Sequence, residues 1–122
     1  ITAEPLMPSP FASILIGGVG GIIVVFGTKL LLLLKIDDVV GAIPAHLFSG
    51  IWGTLAVPIT NPEANLGSQL IGVVSINLFV FIISLFIWSI MKSTFGIRLS
   101  KQGESKGTDV TETGVIAYAI RD

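Results

Sequence analysis

Charged residues divide this chain into three long uncharged stretches, and that spacing limits its possible folds more than any other feature. The stretches cover residues 5–28, 39–62 and 64–91. Each exceeds the roughly 20 residues that an α-helix needs to cross the hydrocarbon core of a bilayer. Because lipid offers the backbone no hydrogen-bond partner, each stretch should be helical. The sequence therefore predicts an all-α membrane protein with three transmembrane helices, near residues 11–34, 43–59 and 67–93.

Composition excludes several classes of protein. Hydrophobic residues make up 52% of the 122 residues and charged residues 12%, whereas a soluble domain carries roughly 25% charge. Seven Lys and Arg against eight Asp and Glu leave no basic excess for nucleic acid. The chain has no Cys and a single His, so thiolate or His-rich metal sites are not expected. Because no nucleophile–base pair or paired carboxylates are visible, we expect neither an enzyme nor a bound cofactor.

The basic residues predict an orientation. Lys29 and Lys35 follow the first uncharged stretch, and the other five cations follow the third. The positive-inside rule makes that side cytoplasmic. We therefore expect a multi-pass protein of the cell (inner or plasma) membrane, with residues 1–93 in three spans and residues 94–122 as a cytoplasmic tail. Within the tail, the polar stretch 101–108 predicts an exposed, mobile loop.

Small residues follow helical spacing in the first two spans. Gly17 and Gly21 form a GxxxG pair, which lets two helix backbones approach closely in lipid. A helix with two adjacent small-residue stripes is expected to be surrounded by other helices or to line a narrow passage. The apolar third span is expected to be peripheral. The two stripes of the second span are Gly41, Ala45, Ser49 and Gly53, and beside them Ala42, His46, Gly50 and Thr54.

His46 is the residue most suited to chemistry, because it is the only ionisable group inside a predicted span. Counting eight residues from Asp38 at about 1.5 Å each puts it near the bilayer midplane. An ionisable residue at that depth indicates a functional site, and its neutral ring offers one donor and one acceptor. The alternative is a His bonded to a backbone carbonyl for packing. Asp37 and Asp38 are interpreted either as a cap of the second helix or as a cation-attracting inner vestibule.

The sequence of residues 35–58, KIDDVVGAIPAHLFSGIWGTLAVP, resembles the tenth transmembrane helix of the ammonium transporter family (Amt/Mep/Rh). Residues 9–29 resemble the glycine-rich ninth helix of that family, and residues 67–98 resemble its eleventh. The tail resembles the family's cytoplasmic tail at Gly107, Asp109, Gly114, Ala117 and Tyr118. The residues that carry the tenth-helix resemblance are Asp37, Asp38, Gly41, His46, Gly50, Ile51, Trp52, Gly53, Thr54 and Leu55.

The resemblance implies a fold of two inverted five-helix repeats plus a long final helix, assembled as a homotrimer with one pore per subunit. It implies that His46 is the second of two pore histidines past which ammonia crosses, while the first His and the outer ammonium site lie in earlier helices. The chain departs from the family pattern at two places, one before the predicted start of the second span and one in the tail that is expected to act in regulation. Val39 replaces a frequent Pro, and Thr113, Gly114 and Val115 stand where the family has H-G-E. The resemblance implies a PII-type signalling protein as the partner of this tail.

Two functions are therefore in view. The first is ammonium or ammonia transport, with this chain as the C-terminal portion of a transporter subunit that forms a pore only as a whole. The chain begins at Ile1 rather than Met, which favours a fragment or a processed product. The alternative is a small three-helix membrane subunit for assembly or sensing, which would dock through its glycine stripes and signal through its tail.

Overall fold

A computed structural model of the chain describes residues 3–116. Within that range the protein is helical and contains no strand, so the predicted all-α class is confirmed. Ala117 and Tyr118 of the predicted tail motif lie outside the described residues. The elements in chain order are α1 (Pro10–Leu33), a π-helical segment (Ile43–Phe48), α2 (Ser49–Thr60), α3 (Leu66–Thr94), α4 (Lys101–Lys106) and a π-helical turn (Asp109–Thr113).

Polar side chains begin both long helices. The Ser9 hydroxyl accepts the Ala12 N–H at 3.2 Å, and Pro10 takes the first helical position, where its missing N–H is not needed. The Asn65 side-chain oxygen accepts the N–H groups of Gly67 and Ser68 at 2.8 and 3.2 Å. Capping of this kind satisfies N–H groups that the helix itself leaves unpaired. Helices α1 and α3 start and end within one residue of the bounds predicted from the sequence.

Two helices of the described chain are long and apolar enough to cross a membrane. These are α1, with a mean hydropathy of 2.1, and α3, with a mean hydropathy of 2.7. The second predicted span is divided into six π-helical residues and the twelve residues of α2. Together these are near the lower end of the roughly 17–25 residues that a spanning helix uses. Its crossing of the membrane therefore stays a prediction.

The chain forms two compact units, residues 1–79 and residues 80–122. In the first unit, α1 packs against the π-helical segment and α2. Its buried apolar side chains are those of Pro44, Leu31, Ala56 and Val57. This unit contains His46, Asp37 and Asp38, so every predicted site residue lies within it.

The second unit corrects one prediction, because residues 101–106 form helix α4 rather than a loop. The Ser100 hydroxyl caps α4 by accepting the Gly103 N–H at 3.1 Å, and the Thr111 hydroxyl donates to the Gly103 carbonyl at 3.1 Å. The Arg98 guanidinium pairs with the Glu104 carboxylate. That hydrogen bond lowers the pKa of Glu104 and raises the pKa of Arg98. These contacts depend on groups up to eight residues apart, which local composition does not reveal.

Candidate functional site

Asp38 fixes the start of the helix that carries His46. Its Oδ1 accepts the Ala42 N–H and its Oδ2 accepts the Ile43 N–H, both at 2.8 Å. Gly41 makes the preceding turn with a φ of +70°, a conformation that glycine adopts without a Cβ penalty. Both oxygens of the Asp38 carboxylate are thus engaged by the helix start, whereas within residues 3–116 the Asp37 side chain makes no capping bond.

A cavity of about 250 Å³ lies beside the two aspartates. Asp37, Asp38 and Lys35 line it together with apolar residues of α1 and the following loop. The structure therefore brings both acidic residues to one cavity and adds a cation that the sequence reading did not place there. The vestibule role remains a prediction.

The π-helical segment changes which residues share a face. The Ser49 N–H donates to the carbonyls of His46 and Pro44, three and five residues back, instead of following α-helical spacing throughout. As a result Pro44, rather than Ala45, lies on the buried side with Ser49 and Gly53, and Ala45 is exposed. The predicted stripe of Gly41, Ala45, Ser49 and Gly53 is therefore wrong in its first half, because it assumed an uninterrupted α-helix.

The predicted depth of His46 near the bilayer midplane stays a prediction. That prediction counted helical rise from Asp38, but the π-helical segment begins only at Ile43 and Asp38 is its cap. His46 thus follows the start of the segment by three residues, which is about 5 Å of helix at 1.5 Å per residue. Its depth in a membrane depends on where the preceding loop lies, and the residue count does not fix it.

Helix α1 contacts the π-helical segment at Gly27 and Ser49, the first residue of α2, at Gly20, rather than through both members of the predicted Gly17–Gly21 pair. Gly20 and Gly27 are buried, whereas Gly21 is exposed with nothing within 4 Å of the place a Cβ would take. A Cβ at Gly27 would lie 2.8 Å from Phe48 Cδ2 and 2.9 Å from Pro44 Cβ. Close approach of two backbones through small residues is the expected way for helices to pack in lipid. Within the described residues this approach uses Gly20 and Gly27, and close packing at the Gly17–Gly21 pair stays a prediction.

Two hydrogen bonds join the helices, and the sequence reading missed both. The Trp52 Nε1–H donates to the Ile16 carbonyl at 2.9 Å, and the Ser49 hydroxyl lies 3.3 Å from the Gly20 carbonyl. The available signal was a Trp and a Ser inside an otherwise apolar stretch. Buried Trp N–H and Ser O–H groups need acceptors, and in lipid only another part of the protein supplies them.

His46 lies on the opposite side of this helix, at a groove of about 320 Å³. Gly50 and Thr54 line the same groove, so the second predicted stripe shares one surface from His46 onward. The His46 side chain is exposed, and within residues 3–116 its ring makes no hydrogen bond. The opposing wall comes from the first turns of α3, where the groove is lined by Gln69, Gly72, Val73, Ile76 and Asn77.

The arrangement suits a small polar molecule. Gly50 leaves open space beside the ring, with nothing within 4 Å of the point where a Cβ would stand. The groove offers the imidazole, the Thr54 hydroxyl and side-chain amides among apolar groups. The Asn77 amide donates to the Val73 carbonyl at 2.7 Å, and the Thr54 hydroxyl donates to the Gly50 carbonyl at 2.9 Å. Within residues 3–116 the His46 ring makes no hydrogen bond, so both of its nitrogens are available at this surface.

Comparison with known proteins gives a consistent result. The family model described as Ammonium Transporter Family matches residues 1–118. A Synechocystis protein named as a candidate ammonium transporter is 42% identical over 116 residues, covering 93% of this chain and 26% of that protein. Ammonium transporter Amt2 of Archaeoglobus fulgidus is 35% identical over 139 residues (97% of this chain, 30% of Amt2), and Amt1 of the same organism is 33% identical over 119 residues (87% and 30%).

No solved structure gives a significant match. The chain spans about a quarter to a third of the length of these relatives. The family match nevertheless extends over nearly all of its residues, including α1, α2, α3 and the groove that His46 faces. This chain therefore belongs to the ammonium transporter family.

Proposed function

We propose that this chain forms part of an ammonium transporter and supplies His46 to the pore through which ammonia crosses. The observation that carries the proposal is the shared orientation of His46, Gly50 and Thr54 toward one groove. The names of the relatives, which describe ammonium transport, give the substrate. Transport is a property of the whole subunit, because the chain corresponds to under a third of its relatives' length.

The chemistry of an imidazole fits this role. A neutral ring has one N–H donor and one lone-pair acceptor, so it can hydrogen-bond ammonia and can accept or release a proton. Moving an intact ammonium ion into an apolar passage is costly, whereas neutral ammonia avoids most of that cost. Small residues beside the ring leave room for a molecule of that size. We place His46 in a narrow apolar passage, where the ring provides a hydrogen-bonding step.

Exposed apolar residues before His46 support a deep location. Val39 is 91% exposed and Val40 is 84% exposed in this chain, directly after Asp37 and Asp38. Apolar side chains at such exposure favour cover by lipid or by other helices. We therefore propose that the loop enters the membrane region and that His46 lies near the midplane.

The proposed setting follows from charge and family. The chain lies in the cell membrane with three spans and its C-terminal tail in the cytoplasm, because all seven cations fall on one side of the proposed spans. Asp37 and Asp38 then stand at the inner face. The subunit is proposed to assemble as a homotrimer and to have no enzymatic activity. The tail is the proposed contact for a PII-type partner, although its Thr113–Val115 sequence departs from the family pattern.

Replacement of His46 by Ala in the complete transporter tests the proposal. Uptake of ammonium or methylammonium should change about tenfold, equivalent to about 1.4 kcal/mol in the barrier, while the amount of protein in the membrane stays the same. Ser75→Ala, a polar-to-Ala change on an exposed part of α3, is the control. Wild-type uptake by His46→Ala would remove His46 from the mechanism. Uptake by this chain alone would contradict the need for the rest of the subunit.

A further inference from the structure

Ser49 is a buried polar side chain at the junction between the π-helical segment and α2. It is 5% exposed, and its hydroxyl oxygen lies 3.1 Å from the Pro44 carbonyl and 3.3 Å from the Gly20 carbonyl. A hydroxyl has one hydrogen to donate, so the two carbonyl oxygens share it. One of these carbonyls belongs to the π-helical segment and the other to α1, so the Ser49 hydroxyl bridges the two elements.

We propose that Ser49 is a positioning residue for His46, a role that rests on the proposed function of His46 in transport. The Ser49 hydroxyl contacts the Pro44 carbonyl of the π-helical segment and the Gly20 carbonyl of α1, so it links the segment to α1. His46 lies within that segment and faces the groove on the other side. By fixing the rotation of the segment about its own axis, Ser49 fixes the direction in which the imidazole points.

A second contact holds the same segment near its ends. Pro44 and Phe48 lie against the backbone of α1 at Gly27, so closely that even a Cβ there would overlap them. The segment therefore rests on α1 at Gly27 and is bridged to it at Gly20. Rotation of the segment would break the bridge and would press a side chain against Gly27. His46 is two residues from Pro44 and two from Phe48, where this restraint acts most directly.

Loss of the hydroxyl removes one of the two bonds from Ser49 that favour the π-helical register over an α-helical one. In the π-helical register the Pro44 carbonyl accepts both the N–H and the hydroxyl of Ser49. In an α-helical register the Ser49 N–H would donate to the Ala45 carbonyl, four residues back, instead of the Pro44 carbonyl. A shift of one residue turns a helical side chain by about 100°. The imidazole would then leave the groove, although α2 itself stays helical.

The experiment compares Ser49→Ala with Ser49→Thr in the complete transporter. Ser89→Ala on α3 is the matched control, because the Ser89 hydroxyl donates to the Leu85 carbonyl of its own helix. Maximal rate and half-saturation concentration are measured for ammonium and for methylammonium. Ser49→Ala should lower the maximal rate for ammonium about two- to tenfold, the range expected for one neutral hydrogen bond. It should also change the ratio of the two rates, which a smaller amount of folded protein would leave constant.

Ser49→Thr separates the hydroxyl from the small volume of the side chain. If the hydroxyl bridge is what matters, Ser49→Thr should restore the wild-type ratio more closely than Ser49→Ala. If Ser49→Thr instead departs further from wild type than Ser49→Ala, side-chain volume is the important property and the proposal is overturned. An unchanged rate ratio in Ser49→Ala would overturn it as well.

A measurement without transport keeps this proposal separate from the proposed function. The chain contains no Cys, so His46→Cys in a transporter made cysteine-free elsewhere gives one thiol at the site. Its rate of modification by a small water-soluble thiol reagent reports the direction of side chain 46. Adding Ser49→Ala should change that rate at least about twofold, whereas adding Ser89→Ala should not. An unchanged rate would overturn the positioning role even if His46→Ala abolishes uptake, and a changed rate would support it even if His46→Ala does not.

Discussion

Helices α2 and α3 are both apolar, but they use their side chains differently. The twelve residues of α2 include four buried ones, Ser49, Gly53, Ala56 and Val57, whereas the 29 residues of α3 include none. The N–H of Trp52 and the hydroxyl of Ser49 reach carbonyls of α1. By contrast, the hydroxyls of Ser89 and Thr94 on α3 reach carbonyls of their own helix.

The difference shows that mean hydropathy does not identify the helix that packs against other parts of the described chain. The helix with the longest apolar sequence, α3, has no buried residue there. The proposed site residue, His46, lies instead in the shorter, irregular helix, which is rich in small residues and begins with a π-helical segment. In a bilayer, small and polar residues mark the surfaces where helices meet, because apolar side chains gain little by leaving lipid for one another.

The largest expected effect tests the lipid-facing assignment of α3. Ile82 is 53% exposed near the centre of the helix. Ile82→Arg should make membrane insertion of the α3 segment less favourable by about 2.5–3.5 kcal/mol. Insertion efficiency in a glycosylation-reporter protein measures this, with Ile82→Leu as the control. Equal insertion of the Arg variant would contradict the contrast between a packed α2 and a lipid-facing α3, since α3 would then not occupy the hydrocarbon core.

A smaller effect is expected where α1 meets the π-helical segment. Gly27→Ala places a Cβ within 2.9 Å of Pro44 and Phe48, and overpacking of this kind costs about 1–3 kcal/mol. The thermal unfolding midpoint of the purified transporter should therefore fall. Gly18→Ala on the same helix is the matched control, because nothing lies within 4 Å of its Cβ position. Equal midpoints for both variants would mean that the glycine contact is absent in the complete protein.

The helix cap is expected to contribute less. Asp38→Ala removes the acceptor of the Ala42 and Ile43 N–H groups, and loss of an N-cap costs about 0.5–2 kcal/mol. Asp37→Ala removes the same charge without removing that cap. The same unfolding measurement should show a lower midpoint for Asp38→Ala. If the two variants are equally destabilised, charge rather than capping explains the effect.

The smallest effect compares the two tryptophans. Trp52→Phe removes the hydrogen bond to the Ile16 carbonyl, at a cost of about 0.5–1.5 kcal/mol. Trp88 on α3 is 55% exposed, and within the described chain its indole N–H makes no hydrogen bond. Trp88→Phe should therefore leave the unfolding midpoint unchanged within about 0.5 kcal/mol. A larger fall in the unfolding midpoint for Trp88→Phe than for Trp52→Phe would contradict the prediction that α2 makes the more specific contacts.

Much of the fold follows from the sequence because charged and polar residues bound the apolar stretches. Ser9 and Asn65 begin α1 and α3 with caps that local sequence supplies, and both helices match their predicted bounds. The π-helical segment was not predictable in this way. Its hydrogen-bond register depends on Gly27 meeting Phe48 and on Ser49 reaching Gly20, contacts 21 and 29 residues apart in the chain.

The candidate site was likewise predicted only where local sequence determines it. His46 was identified as a unique ionisable residue in an apolar segment, a property of composition alone. The groove wall from Gln69 to Asn77 was not predicted, because no pattern in α2 specifies which helix faces it. Helix α4 was missed because Thr111 bonds Gly103 across eight residues.

The π-helical segment has a consequence for comparing this chain with its relatives position by position. Pro44 and Ser49, five residues apart, both lie on the buried face, whereas an α-helix would place residues four apart there. A relative in which this stretch is purely α-helical would therefore differ in packing even where the two sequences align without a gap. Residues paired with His46 in such an alignment would then face a different side of the helix.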